Sequence, residues 1–287
     1  MKKGKLLICA TPIGNLKDIT LRVLETLKEV DLIAAEDTRH TRKLLSHYDI
    51  RTKLTSYHEH NEAAKAKELL HKLTKGSHVA LVSDAGTPGL SDPGYCLIKA
   101  CIENGIDVEV LPGPSAAISA LVISGLPTDS FIFQGFLPRK KGERCKILTE
   151  LALNTKTLIF YESPHRIKAF LEDSLEIFGN RKMALVRELT KKFEEVIRGT
   201  ISEVLEKIKE KKPLGEMVVV IEGAKKAKKG PRPGEKEIQS KVVNLINQGF
   251  TKKEAIQMVS KELELPKRIV YEAVKDISAK CGKLKLR

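Results

Sequence analysis

The sequence is poor in cysteine and has no long hydrophobic run. Its five cysteines among 287 residues are an odd number, and no two are spaced as C-x-x-C. The sequence therefore indicates neither a disulfide framework nor a zinc site, and we expect most of the cysteines to be small core residues. No stretch approaches the ~20 apolar residues that a membrane-spanning helix needs. The apolar run at 6–10 is also too short for a signal peptide, so we expect a soluble, cytoplasmic protein.

Two common nucleotide-binding motifs are also missing. The sequence contains no G-x-G-x-x-G, which marks a dinucleotide-binding turn, and no G-x-x-x-x-G-K-[ST], which marks a phosphate-binding loop. These absences exclude sites of those two kinds.

Basic residues, in contrast, are abundant. Lys and Arg number 51 against 37 Asp and Glu, which gives a formal net charge of +14. Such an excess favours an anionic partner, and nucleic acid is the first candidate. A solvated surface position is the alternative for many single lysines. The length suffices for two domains and a small third one.

Strands and helices alternate in the first half of the chain. Short apolar runs are each followed by a polar or glycine-rich loop and then by a helical pattern. This alternation predicts a mostly parallel sheet with helices on both faces. The loops that follow strands lie at 11–16, 36–39, 83–94 and 112–115. We expect them to meet at one carboxyl edge, where open α/β sheets bind ligands.

The loop at 83–94 has the strongest ligand-binding character. Its twelve residues include three Gly, two Pro and two Asp, and Leu90 is the one bulky side chain among them. Glycine lets the backbone approach a ligand closely, and proline fixes its path. We interpret the segment as a ligand-binding loop with Asp84 at the strand tip. A tight strand-to-helix turn is the alternative, and we expect Asp92 and Pro93 to start the next helix.

The second half of the chain predicts a further α/β domain with antiparallel strands. Strands are predicted at 131–133, 157–161, 183–186 and 216–222. We expect Ser163 and Pro164 to start one helix, and Thr200 and Glu203 to form a capping box for another.

A basic linker rich in proline and glycine precedes three short helical patterns at the C-terminal end. Their lengths, and the capping box formed by Thr251 and Glu254, fit a helix-turn-helix module that would contact nucleic acid through Lys267 and Arg268. A helical cap on the second domain is the alternative. The predicted divisions are an N-terminal α/β domain at 1–113, a second α/β domain at 114–223, the linker at 224–236 and a helix-turn-helix-like domain at 237–287.

Eight motifs together resemble one family. They are TPIGNL (11–16), AEDTR (35–39), YHEHNE (57–62), SDAGTP (83–88), LPGPS (111–115), GFLP (135–138), FYESPHR (160–166) and RELTK (187–191). The combination resembles the tetrapyrrole methylases, which are class III S-adenosylmethionine-dependent methyltransferases. Within that family it resembles the enzymes that modify RNA of the small ribosomal subunit.

The resemblance implies 2′-O-methylation of a cytidine ribose in the decoding region of 16S rRNA. It also implies a homodimer, with S-adenosylmethionine held in the cleft between the two α/β domains. It implies cofactor contacts at Pro12, Asp84, Ala85, Gly86, Thr87, Ser115, Ala116, Tyr161, Leu189, Gly215 and Met217.

Each part of the cofactor has a matching group among these residues. Asp84 would pair with the amino group or accept hydrogen bonds from the ribose hydroxyls. Ser115 and Ala116 would offer a helix N-terminus to the carboxylate. By the resemblance, Tyr161 and Leu189 would wall the adenine together with residues 215–217. An ordinary core position is the alternative for Tyr161 and Leu189.

Methylation of a ribose hydroxyl is helped by a base that takes the proton. We expect His58 or Glu36 to be that base, and Arg39, Arg166 and Lys191 to contact RNA phosphates. A structural ion pair or a solvated charge is the alternative for each of them.

Two other functions stay open at this point. One is a methyltransferase of the same fold that acts on a tetrapyrrole or a protein, and the basic C-terminal segment argues against it. The other is a non-enzymatic RNA-binding ribosome assembly factor, and the concentration of Gly, Pro and acidic loops at one sheet edge argues against that. No metal site is expected.

Overall fold

The computed structural model describes residues 3–210, 214–225, 233–263 and 265–275. Contacts between residues divide the chain into two units, Met1–Ala224 and Lys225–Arg287. Most of the predicted linker, at 226–232, lies outside the described residues, as do Cys281 and the rest of 276–287.

Five strands form a fully parallel sheet in the first unit. They are β1 (Lys5–Cys9), β2 (Leu32–Ala35), β3 (Leu54–Ser56), β4 (Val79–Val82) and β5 (Asp107–Leu111). Their order is β3-β2-β4-β1-β5, and every neighbouring pair is parallel. The loops after β1, β2, β4 and β5 therefore meet at one edge, as the sequence predicts.

Helices cover both faces of this sheet, which confirms the predicted layering. They are α1 (Leu21–Glu29), α2 (Thr38–His47), α3 (Glu62–Thr74) and α4 (Tyr95–Glu103). Alternate strand residues point to opposite faces. Ile33 and Val82 accordingly pack with α1 and α2, whereas Ala34 and Leu81 pack with α3 and α4.

A second, mixed sheet follows in the same unit. Its strands are β6 (Phe131–Phe136), β7 (Thr157–Glu162), β8 (Lys182–Arg187), β9 (Glu195–Thr200) and β10 (Met217–Ile221). The order is β6-β7-β10-β8-β9, with β6 and β7 parallel and the other pairs antiparallel. The boundary at residue 113 between two domains stays a prediction, since both sheets belong to one unit.

The second sheet is also covered on both faces. Helix α5 (Ala116–Ser124) packs on one face through Ala117, Ala120 and Leu121. On the other face lie α6 (Lys141–Leu151), α7 (Ile167–Phe178) and α8 (Ile201–Glu210). The Thr200–Glu203 capping box predicted for α8 forms: Thr200 N donates to Glu203 Oε2 at 2.8 Å, and Glu203 N to Thr200 Oγ1 at 3.4 Å.

The predicted start of α4 is wrong. The helix begins at Tyr95 with Gly94 as its N-cap and without a side-chain cap from Asp92. Glu62, from α3, instead accepts hydrogen bonds from Gly94 N (3.1 Å) and Cys96 N (3.3 Å). The Tyr57 hydroxyl accepts one from Leu97 N at 3.2 Å. Because residues distant in sequence accept hydrogen bonds from these amides, the Asp92 side chain is not needed to cap the helix.

The predicted start of α7 is also wrong. The helix begins at Ile167, after a turn in which Arg166 N and Ile167 N both donate to Ser163 O at 3.0 Å. Ser163 N itself donates to the Glu162 carboxylate at 2.8 Å. These hydrogen bonds form a turn at the end of β7, where the sequence predicts the first residues of the helix.

The second unit contains the three helices that the sequence predicts. They are α9 (Glu235–Asn247), α10 (Lys252–Glu262) and α11 (Lys267–Val274). Their core includes Val242, Val259 and Val270, and the capping box between Thr251 and Glu254 is present.

Two further expectations can be compared with the described residues. Cys9 and Cys101 are buried, as expected, but Cys96 is exposed and Cys145 is half-buried. Among the described residues, no helix is both long and apolar enough to cross a membrane.

Candidate functional site

A cavity of about 360 Å³ lies between the carboxyl edge of the first sheet and the second sheet. Most of the residues predicted to bind a cofactor line it, together with one predicted base. They are Glu36, Asp84, Ala85, Gly86, Thr87, Ser115, Ala116, Tyr161, Leu189, Gly215 and Met217. Pro12 is buried and is not among the lining residues, whereas its neighbour Ile13 is. The fold thus gathers segments that are up to about 200 residues apart in the chain.

The loop after β4 is held by backbone bonds to the loop after β1. Thr11 N donates to Gly86 O at 2.8 Å, and Gly86 N donates to Thr11 O at 3.1 Å. The Thr11 hydroxyl also donates to Ser83 O at 3.0 Å. Gly86 has a φ of +77°, a left-handed conformation that favours glycine. These bonds fix the floor of the cavity.

The loop after β4 is also tied to the loop after β2. Asp84 Oδ1 accepts a hydrogen bond from Asp37 N at 3.1 Å, and Glu36 Oε2 accepts one from Asp84 N at 3.3 Å. The two carboxylates are thereby fixed side by side at the edge of the sheet.

The cavity is strongly acidic. Five of its lining residues carry carboxylates, and no Lys, Arg or His is among its described lining residues. The acidic residues are Glu36, Asp84, Asp92, Glu162 and Glu216. Glu162 and Glu216 form ion pairs with Arg166 and Lys191, whereas the other three have no salt-bridge partner among the described residues. Their negative charges favour a positively charged ligand in the cavity.

Asp92 and Glu36 have perturbed acidities. Burial, with the neighbouring Glu36 charge, raises the pKa of Asp92 to about 7. Burial also raises the pKa of Glu36, with a smaller contribution from the Asp84 charge. Two carboxyls that resist ionisation together are typical of acid–base sites.

Glu162 places an unsatisfied oxygen in the cavity wall. The residue is 2% exposed. Its Oε1 accepts a hydrogen bond from Ser163 N at 2.8 Å and lies 3.2 Å from Arg166 Nε. Its Oε2 is buried and has no hydrogen-bond partner among the described residues. Burial raises the pKa of this carboxyl. A buried acceptor of this kind usually has a partner, so a ligand that donates a hydrogen bond fits here.

The N-terminus of α5 and an aromatic cluster form another part of the wall. Ser115 caps α5, with its Oγ accepting from Ile118 N at 3.5 Å. The Tyr161 ring lies between those of Phe133 (5.0 Å between centroids) and Phe136 (5.5 Å). Burial raises the pKa of the Tyr161 hydroxyl, which therefore remains a neutral phenol.

A braced loop presents Leu189 to the cavity. Its two neighbours, Glu188 and Thr190, have positive φ angles of 52° and 65°. The Glu188 carboxylate accepts hydrogen bonds from Glu216 N and Lys191 Nζ, both at 3.0 Å. Lys191 Nζ also donates to the Glu216 carboxylate at 3.1 Å. Strained backbone that side chains hold in this way is typical of ligand-binding loops.

The remaining predicted residues lie outside the cavity lining. His58 is half-buried, and its Nε2 lies 3.2 Å from Asn61 Nδ2. Arg39 is exposed and pairs with Asp37 at 3.2 Å. Arg166 donates to Leu137 O at 2.6 Å. An RNA phosphate would have to compete with these bonds, and with those of Lys191, and the predicted contacts stay predictions.

In the second unit, Lys267 and Arg268 share one groove. Its other lining residues include Lys252, Lys253 and Tyr271. Four cationic side chains next to an aromatic ring that is 56% exposed form a surface suited to a nucleic-acid backbone.

The lining residues that were not predicted as site residues include Asp92, Glu162 and Phe136. Asp92 was expected to cap a helix. Glu162 and Phe136 were named as parts of the motifs FYESPHR (160–166) and GFLP (135–138). The position of Asp92 within the 83–94 loop was the one signal that could have identified it. Among the described residues, no group of three or more His, Cys, Asp or Glu side chains is placed to hold a metal ion.

The sequence matches a known family and close relatives. Residues 5–205 match the family described as Tetrapyrrole (Corrin/Porphyrin) Methylases. A protein of Halalkalibacterium halodurans named Ribosomal RNA small subunit methyltransferase I is 50% identical over 94% of this chain and 94% of its own length. A protein of the same name from Synechocystis is 46% identical over 96% of this chain and 99% of its own.

A solved structure shares the fold. It is described as uroporphyrin-III C-methyl transferase from Thermus thermophilus complexed with S-adenyl homocysteine. The TM-score is 0.55 and the identity 19%, over 76% of this chain and 97% of that one. At this identity the likeness concerns the fold alone.

Proposed function

Because the chain belongs to the tetrapyrrole (corrin/porphyrin) methylases, we propose that it transfers a methyl group from S-adenosylmethionine to RNA of the small ribosomal subunit. The observation that carries this proposal is the acidic cavity between the two sheets, free of basic lining residues among those described. The names of the relatives support an rRNA acceptor.

The residues of the cavity fit this cofactor. When bound, S-adenosylmethionine supplies an electrophilic methyl group on a positively charged sulfur. Asp84, which has no salt-bridge partner among the described residues, would accept from the cofactor's ammonium or ribose. The capped N-terminus of α5 at Ser115 and Ala116 would bind the cofactor's carboxylate. Tyr161, Leu189 and Met217 line the cavity with apolar side chains that would hold the adenine.

A carboxylate of the cavity would accept the proton of the acceptor hydroxyl. Glu36, one of the two bases expected from the sequence, lines the cavity, whereas His58 does not. Asp92 lines it as well, and its pKa of about 7 suits a group that exchanges a proton near neutral pH. We therefore assign the base to one of these two carboxyls, Glu36 or Asp92.

The acceptor within the RNA is proposed to be the 2′-hydroxyl of a cytidine in the decoding region of 16S rRNA. This identity rests on the motif resemblance. The net charge of +14 and the basic groove of the second unit are consistent with a large anionic substrate.

The protein is further proposed to act as a homodimer. Ile118 and Val122 on α5 are 47% and 67% exposed. They are four residues apart and therefore share one face of the helix, opposite the residues that pack on the second sheet. On the edge strand β5, Val110 is also exposed. Exposed apolar side chains on an edge strand and a helix are suited to a second copy of the chain.

The test is methyl transfer with three substrates. The purified protein is incubated with tritiated S-adenosylmethionine and small ribosomal subunits, naked 16S rRNA or a tetrapyrrole precursor. We expect label in RNA, at a nucleotide whose 3′-phosphodiester resists alkali, because a 2′-O-methyl group blocks attack by the 2′-oxygen. Label in the tetrapyrrole, or in none of the three, would overturn the proposal.

A further inference from the structure

A second cavity adjoins the acidic one. Its volume is about 880 Å³, and its lining residues are Phe136, Leu137, Pro138, Arg139, Ser163, His165 and Arg166. Phe136 and Ser163 line both cavities. The two spaces therefore meet at the ends of β6 and β7.

The two cavities have opposite charge. Arg139, His165 and Arg166 line the second one, and no acidic residue is among its described lining residues. Like charges about 4 Å apart repel by ~1 kcal/mol in water and by more in a partly buried site. A phosphodiester backbone is therefore repelled from the acidic cavity and attracted to the basic one. A cationic methyl donor has the reverse preference.

Phe136 stands at the boundary between them. Its large apolar side chain is 56% exposed, although the ring lies 5.5 Å from the ring of the half-buried Tyr161, centroid to centroid. A β-bulge between Phe133 and Gly135 shifts the register of β6 against β7. In a regular strand Phe133 and Phe136 would point to opposite faces. Because of the bulge, both rings contact Tyr161.

Gly135 is needed for this arrangement. Its φ is +68°, and a Cβ added there would lie 2.8 Å from Ser91 Oγ, in the loop after β4. The bulge therefore brings Phe136 close to the residues of the first sheet that line the acidic cavity. Bulges next to sites commonly re-aim a side chain in this way.

We propose that the second cavity binds the nucleotide to be methylated, with its base stacked on Phe136 and its phosphates at Arg139 and His165. The ribose then lies over Ser163, and its hydroxyl faces the acidic cavity. Unpaired bases of RNA are commonly held by aromatic stacking and their phosphates by basic side chains. Arg166 positions this site, because its guanidinium binds the Leu137 carbonyl at 2.6 Å and lies 3.2 Å from Glu162. The inference rests on the proposed function.

The experiment compares Phe136→Ala, Phe136→Tyr and Arg139→Ala with the wild-type protein, using small ribosomal subunits that lack the modification. The matched control is Phe131→Ala, since Phe131 begins the same strand, about 17 Å from Phe136, and is also partly exposed. The measurements are kcat/KM for subunits at several salt concentrations and Kd for S-adenosylmethionine.

We expect Phe136→Ala to lower kcat/KM about 10- to 100-fold, as expected for the loss of one stacked base. Its Kd for S-adenosylmethionine should change less than about threefold, and Phe136→Tyr should keep most of the activity. Arg139→Ala should reduce the salt dependence by about one phosphate contact. Phe131→Ala should match the wild type.

The outcomes separate this inference from the proposed function. A wild-type protein that methylates neither subunits nor naked rRNA contradicts the function itself. An active wild type whose Phe136→Ala and Arg139→Ala variants keep full kcat/KM overturns the nucleotide site alone. An equal loss in donor affinity and in kcat/KM also overturns it, because Phe136 would then serve only the donor cavity.

Discussion

Glu36, Asp84 and Asp92 repel one another across the cavity, and none of them forms a salt bridge to a basic side chain among the described residues. Their mutual repulsion destabilises the protein without a ligand and favours the binding of a cation. Burial, together with the neighbouring Glu36 charge, raises the pKa of Asp92 to about 7, so that this carboxyl is close to half protonated at neutral pH. Residues that destabilise the unliganded protein in this manner are typical of functional sites.

Asp84→Asn keeps the size of the side chain and removes its charge. We expect Kd for S-adenosylmethionine to rise about 10- to 100-fold, because a hydrogen bond to a charged group contributes ~1.5–3 kcal/mol. Isothermal titration calorimetry measures this change. Asp107→Asn, at the exposed opposite end of the same sheet, is the control. Equal affinities in the two variants would remove Asp84 from the donor site.

Asp92→Asn has a pH-dependent effect on stability. The folded-state pKa of Asp92 is raised to about 7, so the native state disfavours the ionised form. The contribution of the Asp92 carboxyl to the free energy of unfolding is fully present below the ordinary carboxyl pKa near 4, where the group is neutral. This contribution is lost as the pH rises to about 7. At pH 8 we expect the variant to be more stable than wild type by on the order of 1–3 kcal/mol.

Urea unfolding at pH 5 and pH 8 tests this prediction. The gain in the free energy of unfolding should be clearly smaller at pH 5 than at pH 8. At the same time the variant should lose methyl transfer and the rise in kcat that wild type shows through about pH 7. A stability difference that is independent of pH would contradict the raised pKa.

Elements of this protein begin and end through contacts between distant residues as well as by local capping. The starts of α1, α5 and α10 use local capping side chains, namely Thr20, Ser115 and Thr251. Helix α4 uses Glu62 and Tyr57 instead. The latter arrangement ties the cavity loop to α3.

Glu62→Ala tests the importance of this connection. Without the carboxylate, Gly94 N and Cys96 N lose their acceptor, and the Tyr57 hydroxyl loses its own at 2.9 Å. We expect a loss of about 1–3 kcal/mol in the free energy of unfolding and weaker binding of S-adenosylmethionine, measured by urea titration and calorimetry.

The control for this variant is Glu68→Ala on the same helix. Glu68 forms exposed ion pairs with Lys65 and Lys72, which contribute little to stability. A change within ~0.5 kcal/mol is expected. If Glu62→Ala behaved like Glu68→Ala, the distant cap would have no importance for the loop.

At the scale of the whole molecule, the acidic cavity and the basic groove belong to different units. Every residue that lines the acidic cavity belongs to Met1–Ala224. The groove with Lys253, Lys267, Arg268 and Tyr271 belongs to Lys225–Arg287. Donor binding and part of the RNA binding are therefore expected to be separable.

A chain that ends at Ala224 tests this separation. We expect its affinity for small ribosomal subunits to fall and the salt dependence of binding to weaken, since basic contacts are lost. Its Kd for S-adenosylmethionine should match that of the full chain. Filter binding at several salt concentrations and calorimetry provide these values. Loss of donor binding in the truncated chain would contradict the separation.

Val122→Asp tests the proposed homodimer. A charge on the exposed face of α5 should convert a dimer into monomers, because an unpaired carboxylate in an apolar interface costs several kcal/mol. Light scattering after size-exclusion chromatography measures the mass. Leu153→Asp, at an exposed apolar residue outside α5, should leave the mass unchanged. A wild-type protein that is monomeric at micromolar concentration would overturn the proposal.

Strand and helix alternation, the parallel sheet, the edge at which its loops meet and half of the residues that line the acidic cavity could be predicted from the sequence. Among the described helices and strands, α2, β3 and β9 could not be predicted. Helix α2 begins at Thr38, within the cluster at 36–39 that was predicted as a loop, and β3 is only three residues long. Strand β9 carries Arg198 and Gly199 within a run of alternating residues. Short or polar elements depend on their sheet neighbours more than on their own periodicity.

The amino-acid sequence by itself determined the family, the two kinds of sheet and the presence of a loop-rich edge, because periodicity, capping and motifs are properties of near neighbours in the chain. Only the tertiary structure decided the use of Asp92, since Glu62 and Tyr57 satisfy the helix that Asp92 would otherwise cap. It also decided the side-by-side placement of an acidic and a basic cavity around Phe136. Charges that are far apart in sequence act on one another only after folding brings them within a few ångströms.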